Sequence, residues 1–60
     1  MTQTEFVKVL EEELKLRGLA FNRADVLEFV DDVWPLAKDD PDPVRWAERF
    51  LEAGYGDVKA

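Results

Sequence analysis

The 60-residue chain lacks several residue types on which cross-linking and catalysis usually depend. It contains no cysteine and no histidine, so disulfides and the usual thiolate and imidazole ligands of zinc, copper and haem are excluded. Histidine is the side chain that most often acts as a general base, so its absence removes the usual base for catalysis. Serine, a common nucleophile, is also missing. We therefore expect no cofactor, no metal site and no catalysis. The fold must rest on packing, helix capping or self-association.

Long apolar runs are missing as well. No stretch approaches the roughly 18 apolar residues of a membrane span, and no basic segment followed by an apolar one marks a signal peptide. These features predict a soluble, cytoplasmic protein without membrane contact. A chain of 60 residues forms one domain at most, which here would comprise residues 1–60. Whether it is a whole gene product or an excised domain stays open at this stage.

Apolar residues recur at helical spacing along most of the chain. Their phase predicts three helices, at about residues 3–17, 23–34 and 43–53. The end of the chain, residues 55–60, has no period and reads as a tail, from which Tyr55 could fold back. Three amphipathic helices with short connections predict an all-α, compact three-helix bundle.

Capping chemistry marks where the predicted helices begin. Thr2 with Glu5 three residues later forms a capping-box pattern, and Asn22 is a favourable cap for the second helix. Asp42 followed by Pro43 is a third start, because proline is tolerated in the first turn. Glycines at 18 and 54 then mark two helix ends.

Pro35 leaves two possible ends for the second helix. Proline removes a backbone donor and clashes with the preceding turn, so the helix should end or kink there. Leu36 and Ala37 nevertheless stay in phase with the apolar half of the helix. Both a kinked continuation to about residue 38 and a stop followed by a short separate turn fit the pattern.

Negative charge is concentrated in the middle of the chain. The net charge is −6, and residues 22–42 hold seven carboxylates and two cations, which amounts to −5. A solvated outer face of the second helix would explain much of this acidity. Asp31 and Asp32, however, lie toward the carboxyl end of that helix, where its dipole disfavours anions. Carboxylates at positions that the helix dipole disfavours suggest a function beyond solubility, such as binding lysines and arginines of a partner.

Seven aromatic residues are many for so small an interior. We expect Phe6, Val30 and Phe50 in the core and partial exposure of Trp34 or Trp46. A tryptophan at the margin of a core is a usual anchor of protein interfaces.

Glu13 and Arg17 fall within the apolar half of the first helix, at a favourable ion-pair spacing. Two readings are open for this pair. The helices could spread apart at this end of the bundle and let the pair reach solvent. Alternatively, the side of the first helix that carries the pair could face a polar partner.

These patterns together predict a non-catalytic protein-interaction module. We expect Glu28, Asp31 and Asp32 to dock a basic partner surface, with Trp34 as an apolar anchor. The acidic balance argues against direct nucleic-acid binding. Two alternatives remain: an acidic decoy that mimics nucleic acid, and a structural module that forms homodimers. Monomer and homodimer are both compatible with the sequence.

Overall fold

A computed structural model of the protein describes residues 1–58, including the side chains of residues 1–56. It confirms the all-α class and the compact three-helix bundle. Three helices contain most of the chain, and a minimal antiparallel ladder joins the first connection to the end of the described chain. The elements in chain order are α1 (Gln3–Leu16), β1 (Leu19–Ala20), α2 (Arg23–Ala37), α3 (Pro43–Glu52) and β2 (Asp57–Val58).

The capping box predicted for α1 is confirmed. The Glu5 N–H donates to Thr2 Oγ1 at 3.2 Å, and the Thr2 N–H donates to Glu5 Oε1 at 2.9 Å. The hydrogen bonds from the Thr2 backbone and side chain lower the pKa of the Glu5 carboxyl. Two donors that a helix start leaves unpaired are therefore satisfied reciprocally.

The other two helix starts are also confirmed. Asn22 Oδ1 accepts from the Ala24 N–H at 2.9 Å, and Asp42 Oδ1 accepts from the Val44 N–H at 3.0 Å. Pro43 occupies the first position of α3, where its missing N–H costs no helical hydrogen bond. Each cap chosen from the sequence therefore performs the expected chemistry.

Two glycines follow the ends of α1 and α3 in the left-handed conformation that other residues rarely adopt. Gly18 has φ of 72° and Gly54 has φ of 84°. Both helices end within one residue of the predicted positions, which is the ordinary scatter of helix boundaries.

The second helix does not end at Pro35 but continues through it to Ala37. The Lys38 N–H donates to the Trp34 carbonyl at 2.9 Å, so helical bonding resumes after the proline, and Ala37 is wholly buried. Leu36 departs from the expectation drawn from its phase, because its side chain is 70% exposed. The last turn of α2 is therefore held by the buried Ala37 and the half-buried Trp34, whereas Leu36 is not packed in the core.

The core is apolar, and ten buried residues from all three helices form it. They are Phe6, Val7, Leu10, Leu14, Val26, Phe29, Val30, Ala37, Ala47 and Phe50. The predicted burial of Phe6, Val30 and Phe50 is confirmed. Phe29 meets Phe50 edge to face at 5.2 Å, and Tyr55 folds back to stack on Phe50 at 5.4 Å.

The end of the chain is not a simple tail. Leu19 pairs with Val58 and Ala20 pairs with Asp57 in an antiparallel ladder. Two-residue strands have no measurable period, and the pairing joins residues far apart in sequence, so the spacing gave no sign of it. The rest of the predicted tail, residues 59–60, lies outside the described residues.

Arg17, at the end of α1, pairs with Glu13 of the same helix and contacts the start of α3. Arg17 Nε lies 2.8 Å from Glu13 Oε2, and Arg17 Nη2 donates to the Val44 carbonyl at 3.0 Å. The Arg17 and Glu13 side chains are only 25% and 19% exposed. Arg17 therefore links two helices of this chain, and the pair is partly buried instead of reaching freely into solvent.

Within residues 1–58, no helix combines the length and the apolar character that a membrane crossing requires.

Candidate functional site

The three carboxylates singled out in the sequence lie together on α2. Glu28, Asp31 and Asp32 are all exposed. Positions three and four residues apart share one side of a helix, so the three side chains project from neighbouring points. We refer to Glu28, Asp31 and Asp32 as the acidic face.

Six other carboxylates among residues 1–56 take part in helix caps or ion pairs, whereas Glu12, Asp25, Asp39 and Glu48 have no ion-pair partner there. Glu5 and Asp42 take part in helix caps, and four other carboxylates pair with arginines: Glu11, Glu13, Asp40 and Glu52. Among residues 1–56, no lysine or arginine forms an ion pair with a member of the acidic face. The charge of this face is therefore not compensated by the described part of the chain.

The acidic face also opposes the helix that carries it. Glu28 and Asp32 are one turn apart, a spacing at which like charges destabilise a helix. The last turns of α1 and α3 contain Lys15 and Arg49, whereas the last turn of α2 contains no cation. The first cation after Asp32 is Lys38, which is already the C-cap. The dipole and the side-chain charges of α2 therefore do not explain why the carboxylates of the acidic face occur at these positions.

Trp34 is half-buried at the edge of the acidic face, three residues after Asp31. Its ring packs against Phe6 with a centroid separation of 5.7 Å and a tilt of 39°. Part of the indole is therefore held by the core, and the remainder is available to a partner. The expected partial exposure of Trp34 or Trp46 is confirmed for both tryptophans.

Trp46 lies on α3 and makes a structural hydrogen bond. Its indole N–H donates to the Asp40 carbonyl at 2.7 Å, which ties the connection between α2 and α3 to the first turns of α3. The Asp40 carboxylate also pairs with Arg45.

Sequence reasoning missed Leu36 as a surface residue. It lies one turn after Asp32 and two turns after Glu28, so it continues a row of exposed side chains along α2. That spacing was a usable signal, because an apolar residue in register with two carboxylates faces outward. In the structure, Leu36 lines an open groove of about 460 Å³ with four residues of the loop and α3: Asp40, Arg45, Trp46 and Arg49.

The chemistry available to the acidic face is that of hydrogen-bond acceptors with negative charge. Carboxylates accept two hydrogen bonds from an arginine fork and pair with lysine ammonium groups. In the described part of the chain, no three carboxylates converge closely enough to hold a metal ion. The arrangement is a flat charged surface next to a half-exposed indole.

A scan against models of protein families and searches of curated proteins and of solved structures found no match to this chain.

Proposed function

We propose that this protein is a non-catalytic, cytoplasmic interaction module whose acidic face docks a basic surface of a partner protein. The observation that carries the proposal is the exposure of Glu28, Asp31 and Asp32 without an ion-pair partner among residues 1–56. Lysines and arginines of a partner would supply the opposite charge that this cluster of three carboxylates lacks in its own chain.

The energetics favour such a partner in two ways. Cations between Glu28 and Asp32 would remove a repulsion that the free helix contains, and they would complement the negative end of the α2 dipole. Charge complementarity speeds encounter and selects partners, while fully desolvated aromatic contacts supply most of the affinity. The exposed margin of Trp34 is placed to provide that apolar contact.

A protein surface fits this face better than the role of a nucleic-acid mimic. Residues 28–32 extend over only about 6 Å of helix axis, because an α-helix rises about 1.5 Å per residue. A DNA strand advances about 3.4 Å per phosphate, so the acidic face corresponds to about two phosphates. A decoy for a nucleic-acid site needs a longer track of charges than these three carboxylates form.

Charge reversal with a matched control tests the proposal. We would immobilise the protein, capture proteins from an extract of the source cells, and titrate each purified candidate by calorimetry. We expect Asp31→Lys with Asp32→Lys to weaken binding at least tenfold, because attraction becomes repulsion. The control, Glu12→Lys with Glu48→Lys, makes the same change in net charge at exposed sites on α1 and α3 and should leave affinity nearly unchanged.

Two outcomes would count against the proposal. An equal loss in both double variants would mean that only the overall charge matters, as in non-specific attraction. Unchanged binding by the α2 variant would show that the partner docks elsewhere on the molecule.

A further inference from the structure

Two arginines, Arg45 and Arg49, and one carboxylate, Asp40, line the groove beside Leu36. Arg45 and Arg49 lie one turn apart on α3, and Leu36 and the half-buried Trp46 provide its apolar part. Across the groove, α2 presents Asp32 one turn before Leu36. An acidic row, Glu28 and Asp32 on α2, and a basic row, Arg45 and Arg49 on α3, therefore flank one apolar strip.

The relative direction of the two helices sets which residues lie level with each other. Phe29, early in α2, packs on Phe50, late in α3, whereas Leu36 shares its groove with Arg45 near the start of α3. The helices are therefore antiparallel. Moving one turn back from Leu36 reaches Asp32, and moving one turn on from Arg45 reaches Arg49. These two residues lie at similar heights on opposite sides of the groove.

We propose that a second copy of this chain docks on this groove through a two-fold interface. A symmetric dimer requires a surface that is complementary to itself. Rotation about an axis along the groove brings the acidic row of one copy against the basic row of the other. Asp32 of each copy then faces Arg49 of the other, and each Leu36 packs against the Trp46 of the other copy.

The existing ion pairs on α3 do not prevent this exchange. Arg45 pairs with Asp40, and Arg49 lies 3.7 Å from Glu52, but all four side chains are more than half exposed. Exposed pairs of this kind contribute little, so an arginine can change partner at small cost. Burial of Leu36 against an indole supplies a hydrophobic gain that the monomer leaves unused.

The charge of −6 on each copy opposes association, so the dimer should be weak. The chain exposes 4027 Å² in total, and a standard interface takes about 800 Å² from each partner, or roughly a fifth of that surface. We expect dissociation constants between the micromolar and millimolar ranges.

Self-association would cover Asp32 but not the side of α2 that carries Asp31 and Trp34. It would therefore compete with the basic partner proposed above without abolishing every contact. Arg49 lies outside the acidic face, so Arg49→Asp tests the dimer separately. It should abolish self-association and leave capture of a basic partner intact.

A charge-swap series analysed by sedimentation equilibrium tests the interface. Asp32→Arg alone sets two like-charge pairs across the two-fold axis, and Arg49→Asp alone does the same with opposite sign. Each single variant should raise the dimer dissociation constant at least tenfold. An equimolar mixture of the two variants should associate again, because each Arg at 32 then faces an Asp at 49 and each native Arg49 faces a native Asp32.

Circular dichroism of each variant checks that the helices are intact, and Leu36→Ala provides a neutral test of the apolar contact. We expect Leu36→Ala to weaken the dimer at least tenfold without lowering thermal stability. A wild-type chain that stays monomeric at millimolar concentration would overturn the proposal. Failure of the mixed variants to associate would overturn it too, because the predicted pairing of Asp32 with Arg49 would be wrong.

Discussion

The second and third helices differ in the charges near their carboxyl ends. Helix α3 starts with the Asp42 cap and has Arg49 in its last turn beside Glu52, so each end carries a group that suits the helix dipole. Helix α2 has no cation in its last turn and carries Asp31 and Asp32 close to it. The comparison shows that a cation accompanies the anion at the carboxyl end of α3, whereas the anions near the carboxyl end of α2 have no cation of that helix beside them.

The largest expected difference is in the free energy of unfolding, between substitution of a core residue of α3 and substitution of the exposed leucine of α2. Phe50 is wholly buried against Phe29 and Tyr55, so Phe50→Ala should cost about 3–5 kcal/mol. That is comparable with the whole stability of a domain of this size, so we expect loss of cooperative unfolding at room temperature. Leu36→Ala should change the free energy of unfolding by less than about 0.5 kcal/mol.

Urea denaturation followed by circular dichroism measures both Phe50→Ala and Leu36→Ala. The protein should be diluted below its association range, so that only the monomer contributes. Similar losses for the two variants would mean that Leu36 is packed, contrary to the structure.

A smaller effect is expected at the start of α3. Asp42→Ala removes the acceptor for the Val44 N–H and should lower the free energy of unfolding by about 1 kcal/mol. Asp39→Ala removes the same charge from an exposed loop position and serves as the control. Chemical denaturation of both should show a loss for Asp42→Ala alone. Equal changes would indicate that net charge, and not the cap, determines stability here.

The smallest effect should have the opposite sign. Asp31→Asn together with Asp32→Asn removes anions near the carboxyl end of α2 and should stabilise the free protein by a few tenths of a kcal/mol per site. Asp25→Asn in the first turn of α2 is the control, and it should be slightly destabilising because the helix dipole favours an anion there. Thermal unfolding at low salt gives the best contrast, since salt screens these interactions. Destabilisation by the α2 pair would show that the acidic face serves the fold.

Features that depend on a few adjacent residues were predictable from the sequence. The caps at Thr2, Asn22 and Asp42 follow from short polar side chains that reach the N–H groups of the next turn. The three exposed carboxylates followed from their helical phase. Local chemistry determines these features, so the amino-acid order is sufficient information.

Features that depend on distant residues were not predictable. The contact of Arg17 with the Val44 carbonyl and the pairing of Leu19 with Val58 join segments far apart in sequence. Continuation of α2 through Pro35 likewise depends on the tertiary burial of Ala37.

Pro35 also affects the main chain beneath the acidic face. Residue 35 would normally donate its N–H to the carbonyl oxygen of Asp31, and proline has no N–H to donate. That oxygen therefore lacks its usual helical donor and can accept a hydrogen bond from another group. Part of the negative potential of α2 therefore comes from the backbone, and it would persist in a variant whose acidic side chains were all amides.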